Sequence, residues 1–199
     1  MHPAVPFKVV DQTALLDHLA AFPFCTLAAS VDGRVLVAHA PVIVRRDDGG
    51  LKLDFHLSRG NALAAAVAAG FPAVAVSLAE DAYISPDWYE NRDSVPTWNY
   101  VAVEVEGPVG PLDPAATVAL LDDLSAMEEA RLLPKLPWTR HRMSPGKFES
   151  MVKGIVGAQM TVTRLEGTTK LSQNKTLADK AGVIAALADH PIGARMAQL

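Results

Sequence analysis

The first clear periodicity is helical. Leu15, Leu16, Leu19 and Phe22 recur at helix spacing behind Asp11, a residue suited to cap a helix, and Pro23 ends the run. The pattern then turns extended. Residues 24–29 read as a strand, Asp32-Gly33 as a hairpin turn and residues 34–44 as the return strand. A second turn, Arg46-Asp47-Asp48-Gly49-Gly50, leads into a strand over 51–57. Strands joined by tight turns predict an antiparallel meander rather than a βαβ repeat.

Ser58-Arg59-Gly60-Asn61 opens a short alanine-rich helix that ends at Gly70, and Pro72 precedes a strand over 73–78. An aromatic loop follows. Residues 99–107 then set Tyr100, Ala102, Glu104 and Glu106 against Val101, Val103 and Val105, a strand with one wet face. Asp113-Pro114 starts the longest helix, whose apolar stripe is Val118, Leu120, Leu121 and Leu124. Pro134 and Pro137 open a loop carrying Trp138, Ser144-Pro145 starts another short helix through Met151, and residues 155–165 form a last strand. A polar link over 170–175 leads into a final helix, roughly 176–187. The outline is α+β, six to seven antiparallel strands with peripheral helices. It suits a small closed or split barrel, since closing a meander removes its exposed edges.

Half of the 199 residues are hydrophobic and a fifth are charged, which fits one globular domain over 1–199. No apolar run is long enough to span a bilayer and no basic leader is present, so a cytoplasmic protein is expected. Cys25, the lone cysteine, falls in an apolar strand and reads as a buried small residue. The net charge of −4 is unevenly spread. Lys135, Arg140, Arg142, Lys147, Lys153, Arg164, Lys170, Lys175 and Lys180 face only Glu149, Glu166 and Asp179 between residues 134 and 180. That segment is suited to an anion: a phosphate, a nucleic acid or the acidic face of a second copy. Solvated helix faces are the plainer alternative.

Three segments carry candidate chemistry. Residues 83–100 hold two of the three tryptophans and all three tyrosines among Ser, Pro, Asp, Asn and Arg. Such amphipathic rings suit a pocket wall, a subunit contact or a loop folded over a core edge. At His56-Leu57-Ser58-Arg59-Gly60-Asn61, Ser58 can cap the helix, Gly60 admits close approach and Arg59 offers a planar fork, a cradle for phosphate. In Lys170-Leu171-Ser172-Gln173-Asn174-Lys175, two lysines flank amides able to pair with a heterocycle. His39 and His56 lie on separate strands with no Cys or carboxylate at ligand spacing, so no metal site is expected, and His18, His141 and His190 read as surface residues. No nucleophile elbow, P-loop or dinucleotide fingerprint is present.

Taken together, these segments resemble the PaiB-type family of FMN-binding split-barrel proteins, named as negative transcriptional regulators. The resemblance rests on Phe22-Pro23-Phe24-Cys25-Thr26-Leu27, His39-Ala40-Pro41, the His56 to Asn61 run, Tyr83-Ile84-Ser85-Pro86-Asp87-Trp88-Tyr89, Val95-Pro96-Thr97-Trp98-Asn99-Tyr100, Pro137-Trp138, Ile155-Val156-Gly157 and the Lys170 to Lys175 run. It implies a six-stranded split barrel, a homodimer and one FMN per subunit at the interface. Ser58, Arg59 and Asn61 would meet the FMN phosphate. The strand Val37, Ala38, His39, Ala40 and Pro41 would line the isoalloxazine. Lys170, Ser172, Gln173, Asn174 and Lys175 would reach the flavin from the other subunit, and His56, Trp98 and Tyr100 complete the candidate contacts. Gly60 and Ala62 stand where the family pattern leads one to expect Ala and Pro, which loosens the helix start and keeps the Arg and Asn.

The expected function is a redox or ligand-sensing flavoprotein, with FMN carrying the electron chemistry. A DNA-binding repressor is the first alternative. It is disfavoured by the negative charge and the lack of a helix-turn-helix with a basic recognition helix. A haem-binding barrel using His39 or His56 as axial ligand is the second.

Overall fold

The computed structural model describes residues 2–199. Its sheet is antiparallel, with nine strands among the described residues: β1 (Lys8–Val9), β2 (Phe24–Val31), β3 (Arg34–Pro41), β4 (Ile43–Asp47), β5 (Gly50–Ser58), β6 (Phe71–Ile84), β7 (Thr97–Pro111), β8 (Ile155–Thr161) and β9 (Arg164–Lys170). The helices are α1 (Gln12–Ala21), α2 (Ala62–Ala66), α3 (Pro114–Ala130), α4 (Lys147–Val152), α5 (Leu177–Ala186) and α6 (Pro191–Met196). The strand order is β3-β2-β6-β7-β8-β5-β4, with β9 beside both β7 and β1.

The excess over six strands has three local causes. The two-residue strand β1, paired with β9, has no pattern in the sequence to announce it. The expected strand over 34–44 breaks at Val42. Pro41, opposite Phe24, has no N–H to continue the ladder, so the chain turns a corner and changes partner from β2 to β5. Val42 drops into the core there, 2% exposed, and donates to the Pro23 carbonyl. The expected strand over 155–165 instead extends to Lys170 and kinks at Val162-Thr163, so β8 and β9 run on along one edge of β7. Gly107 makes the kink possible, since a Cβ there would lie 1.8 Å from the Thr161 carbonyl oxygen. The ends of the sheet approach one another, β3 lying against β5, and no ladder joins them among the described residues.

Most other local expectations are met. Asp11 caps α1 through the Thr13 N–H and Asp113 caps α3 through the Ala116 N–H, as side-chain chemistry dictates. The face α3 buries is Thr117, Leu120 and Leu124, with Val118 and Leu121 half-exposed. The helix settles where Thr117 crosses Gly157, whose hydrogen a Cβ cannot replace without meeting Thr117 Oγ1 at 2.1 Å. The turn at Asp32-Gly33 holds both residues at positive φ, as expected of a tight hairpin. Cys25 is fully buried, which pushes its thiol up to about 12.

Two apolar clusters result. One joins α1 and α2 to the inner faces of β2, β3, β5, β7 and β8 around Phe55, Leu27, Leu53 and Met160. The other gathers Ile84, Tyr89, Val101, Leu171, Val183, Ile192 and Met196, closing the end of β6 and β7 with α5 and α6. That closure takes the aromatic loop with it. Tyr89 is buried and Trp88 half-buried, while Tyr83 and Trp98 stay exposed as a cross-strand edge-to-face pair, centroids 6.1 Å apart.

Candidate functional site

The candidate residues form two groups. The first lies where β3 approaches β5. Alternation along β3 sends Val37 and His39 outward and buries Ala38 and Ala40 in the core, so those alanines present only backbone to a ligand. His39 stacks near Phe24, centroids 6.3 Å apart, and its Nδ1 meets Thr26 Oγ1 at 3.1 Å. Short α2 packs against β2, β3 and β5, which brings the turn over 58–61 beside this face.

Within that turn the donors differ from the expected set. Ser58 does not cap the helix. It still belongs to β5, opposite Ile155, and the helix begins four residues later. Asn61 is the cap, its side-chain carbonyl accepting from the Leu63 N–H at 2.9 Å. The ladder to β8 holds the backbone extended through Ser58, which a cap seen only in local sequence does not register. Arg59 donates from Nε to the Lys153 carbonyl at 2.8 Å and from a terminal nitrogen to the Ile155 carbonyl at 2.9 Å. The guanidinium is thereby fixed along the rim with N–H groups to spare. His56 is half-buried beneath α3, and burial pulls its pKa below the ordinary value.

The second group belongs to the far end of the sheet. Tyr100 pairs with Lys170 across β7 and β9, and Lys170 donates to Thr97 Oγ1. Burial lowers the Lys170 ammonium's pKa. The turn after β9 is held by its own side chains: Gln173 accepts from the Leu171 N–H and donates to the Thr169 carbonyl. Ser172 takes φ 61° and, wholly enclosed, accepts at 2.9 Å from the Asn99 amide. Lys175 donates to Ser94 and lies 4.3 Å over the Tyr89 ring. Asn174 is exposed.

Within the single chain the groups stand apart. From β3 to β9 the ladder crosses β2, β6 and β7, about 19 Å along the sheet at the usual strand spacing. In the other direction, Ser58 faces the start of β8 while Lys170 ends β9, so the whole kinked strand lies between.

Part of the excess of bases after residue 133 is answered inside the chain. Arg164 pairs with Glu104, Glu106 and Glu166, Arg140 with Asp122, and Lys135 with Glu129. Glu104 and Glu106 come from β7 and Asp122 and Glu129 from α3, while Glu166 lies two residues along β9 from Arg164. His18 and His190 are likewise not idle surface groups. His18 Nε2 lies 3.0 Å from Ser77 Oγ, and His190 caps α6. No group of three or more metal-ligating side chains occurs among the described residues, and none of their helices is long and apolar enough to cross a membrane.

An antiparallel sheet with such a seam, and a cationic turn at its far end, fits a flavin-binding fold. The family profile described as "Putative FMN-binding domain" matches residues 1–164. The chain belongs to that PaiB-type FMN-binding family, and FMN is its cofactor. It is 31% identical over 199 residues to "Protease synthase and sporulation protein PAI 2" of Bacillus subtilis, covering 97% of this chain and 93% of that one. Among solved structures it is similar to the FAD and heme binding protein from Mycobacterium smegmatis, with TM-score 0.62 and 18% identity, over 90% of this chain and 79% of that one. It is also similar to the flavocytochrome Anf3 from Azotobacter vinelandii, with TM-score 0.64 and 14% identity, over 91% and 78%. These structural likenesses concern the fold.

Proposed function

We propose that the chain is a single-unit split-barrel protein that dimerises to hold one FMN per subunit at the interface, in a redox or ligand-sensing role. The observation that carries this reading is the separation of the two candidate groups within one protomer. A second copy is the economical way to bring the turn over 170–175 to the seam between β3 and β5. The outer sheet face offers the surface for it: Phe24, Val35, Val37, Leu78, Tyr83 and Trp98 are each 47–77% exposed, more large apolar area than a solitary soluble chain favours.

The residues at the seam fit the cofactor. Exposed Ser58, the free N–H groups of Arg59 and the amide nitrogen of Asn61 are donors suited to a terminal phosphate. Val37, His39 and Pro41 supply a flat outer surface for a ring system, with backbone polar groups of Ala38 and Ala40 beside it. Lys170, Ser172, Gln173, Asn174 and Lys175, with Trp98 and Tyr100, serve the partner's flavin. His56 lies one step behind the phosphate donors. Bound FMN supplies electron transfer; the chain binds, orients and shields it.

Negative regulation of transcription, in this reading, is indirect, through a small molecule consumed or sensed. The net charge of −4 disfavours DNA, and Arg164 and Arg140 among the later bases are already engaged by carboxylates of the chain. Haem is disfavoured because His39 lies stacked with Phe24 and His56 borders a cavity of only about 290 Å³.

The test is a titration of apo-protein with FMN, FAD and riboflavin by flavin fluorescence, with light scattering at micromolar concentration. FMN binding most tightly to a dimer is expected. Riboflavin binding as tightly as FMN removes the phosphate argument, and a flavin-loaded monomer removes the shared site. A gel-shift complex with the upstream DNA that survives physiological salt and competitor puts direct repression first.

A further inference from the structure

Behind the seam, on the far side of β5, lies a cavity that the flavin reading leaves unused. It measures about 290 Å³, is partly open to solvent, and is bordered by β5, the middle of α3, the loop through Trp138 and Arg140, and α4. Its walls are Trp138, Phe148, Met143 and Met151, with His56 on the strand beneath. Neither ring nitrogen of His56 has a hydrogen-bond partner among the described residues. Nδ1 is sealed from solvent, which leaves Nε2 as the nitrogen a ligand can reach. The charges in the lining cancel: Arg140 Nε lies 2.8 Å from an Asp122 carboxylate oxygen, an ion pair without hydrogen-bond alignment that leaves this N–H unpartnered, and the guanidinium sits 4.8 Å over the Phe148 ring. Burial holds the imidazole neutral near pH 7.

We propose that this cavity is a second small-molecule site, for a neutral planar aromatic carrying one hydrogen-bonding nitrogen or hydroxyl that pairs with His56 Nε2. Size sets the first limit. The cavity falls just below the range of pockets for drug-sized ligands and well above one that admits a single benzene, so it suits one or two fused rings. Aromatic and thioether walls favour a flat, polarisable guest. With Arg140 already matched by Asp122, a charged guest enters without a counter-charge and loses its hydration, so neutrality follows. Nε2 has no partner within the described residues, so a guest that covers it must hydrogen-bond to it, and one that can is selected over one that cannot. This inference does not rest on the flavin reading.

The experiment titrates the full chain, with and without saturating FMN, against 5-fluoroindole, 4-fluorophenol and fluorobenzene by ¹⁹F NMR. Saturable sub-millimolar binding of the first two is expected, about tenfold tighter than fluorobenzene and unaffected by FMN. His56→Leu should erase the difference between fluorophenol and fluorobenzene. Ser125→Trp, which fills the cavity from the half-exposed surface of α3, should abolish binding of all three and keeps the test open if the His56 variant does not fold. Absence of saturation, fluorobenzene binding as well as fluorophenol, displacement by FMN, or binding that survives Ser125→Trp each overturns the proposal.

Discussion

Arg59→Ala separates the phosphate role of the rim arginine from its structural one. In the fold the side chain makes two hydrogen bonds, to the Lys153 and Ile155 carbonyls, and both are solvent-exposed. Each is worth about 0.5–1.5 kcal/mol net, with the low end apt because water replaces the donor. The fold should therefore lose about 1 kcal/mol, a fall of roughly 2–4 °C in melting temperature for a chain of this size. A charge-assisted bond to phosphate is worth more, about 2 kcal/mol. That converts to a roughly 30-fold weaker FMN. Riboflavin has no phosphate, so its affinity should hold within a few-fold. The reading is thus the ratio of the two affinities, measured by flavin fluorescence on folded variant. Arg59→Lys, which keeps charge without the fork, should fall between. Equal losses for both flavins would mean that Arg59 acts only through the carbonyls it holds; no loss for either would put the phosphate elsewhere.

Three further outcomes are expected. Val37→Glu, on the exposed face of β3, should convert the proposed dimer to monomer in light scattering at micromolar concentration, and an intact dimer would move the interface off that face. Gly107→Ala should destabilise by about 3 kcal/mol and lower the melting temperature by roughly 6–12 °C, because backbone on both sides of the 1.8 Å contact cannot rotate away; a wild-type melt would refute the tight kink. His18 and His56 are both held below 6.5, chiefly by burial, so the unfolded chain binds more protons than the folded one below that pH. Their contribution is full above about pH 6.5 and shrinks as pH falls toward the folded values, so urea midpoints should drop as pH falls below about 6.5, less steeply in His56→Leu; a flat profile would show that both rings are solvated.

Sequence by itself determined the elements whose causes are local. Helix caps at Asp11 and Asp113 and the Asp32-Gly33 hairpin depend on side chains acting within a few positions of themselves, and each is present in the fold, as is the alternation along residues 99–107 except at Ala102, which is buried. The resemblance supplied the flavin, because motifs scattered along the chain hold their order without any geometry being known. Tertiary structure decided what depends on distant partners. Ser58 stays in a strand because Ile155 lies opposite, and Asn61 inherits the cap. One apparent strand became two at Val42 and another kinked over Gly107, since a strand continues only while its neighbour's ladder does. Trp88 and Tyr89 turned inward because α5 and α6 offered an apolar cover, whereas Trp98 met none. The cavity at His56 draws its walls from residues 121 to 155, with no common spacing to mark them. Periodicity records which face of an element is apolar; only packing decides what that face meets.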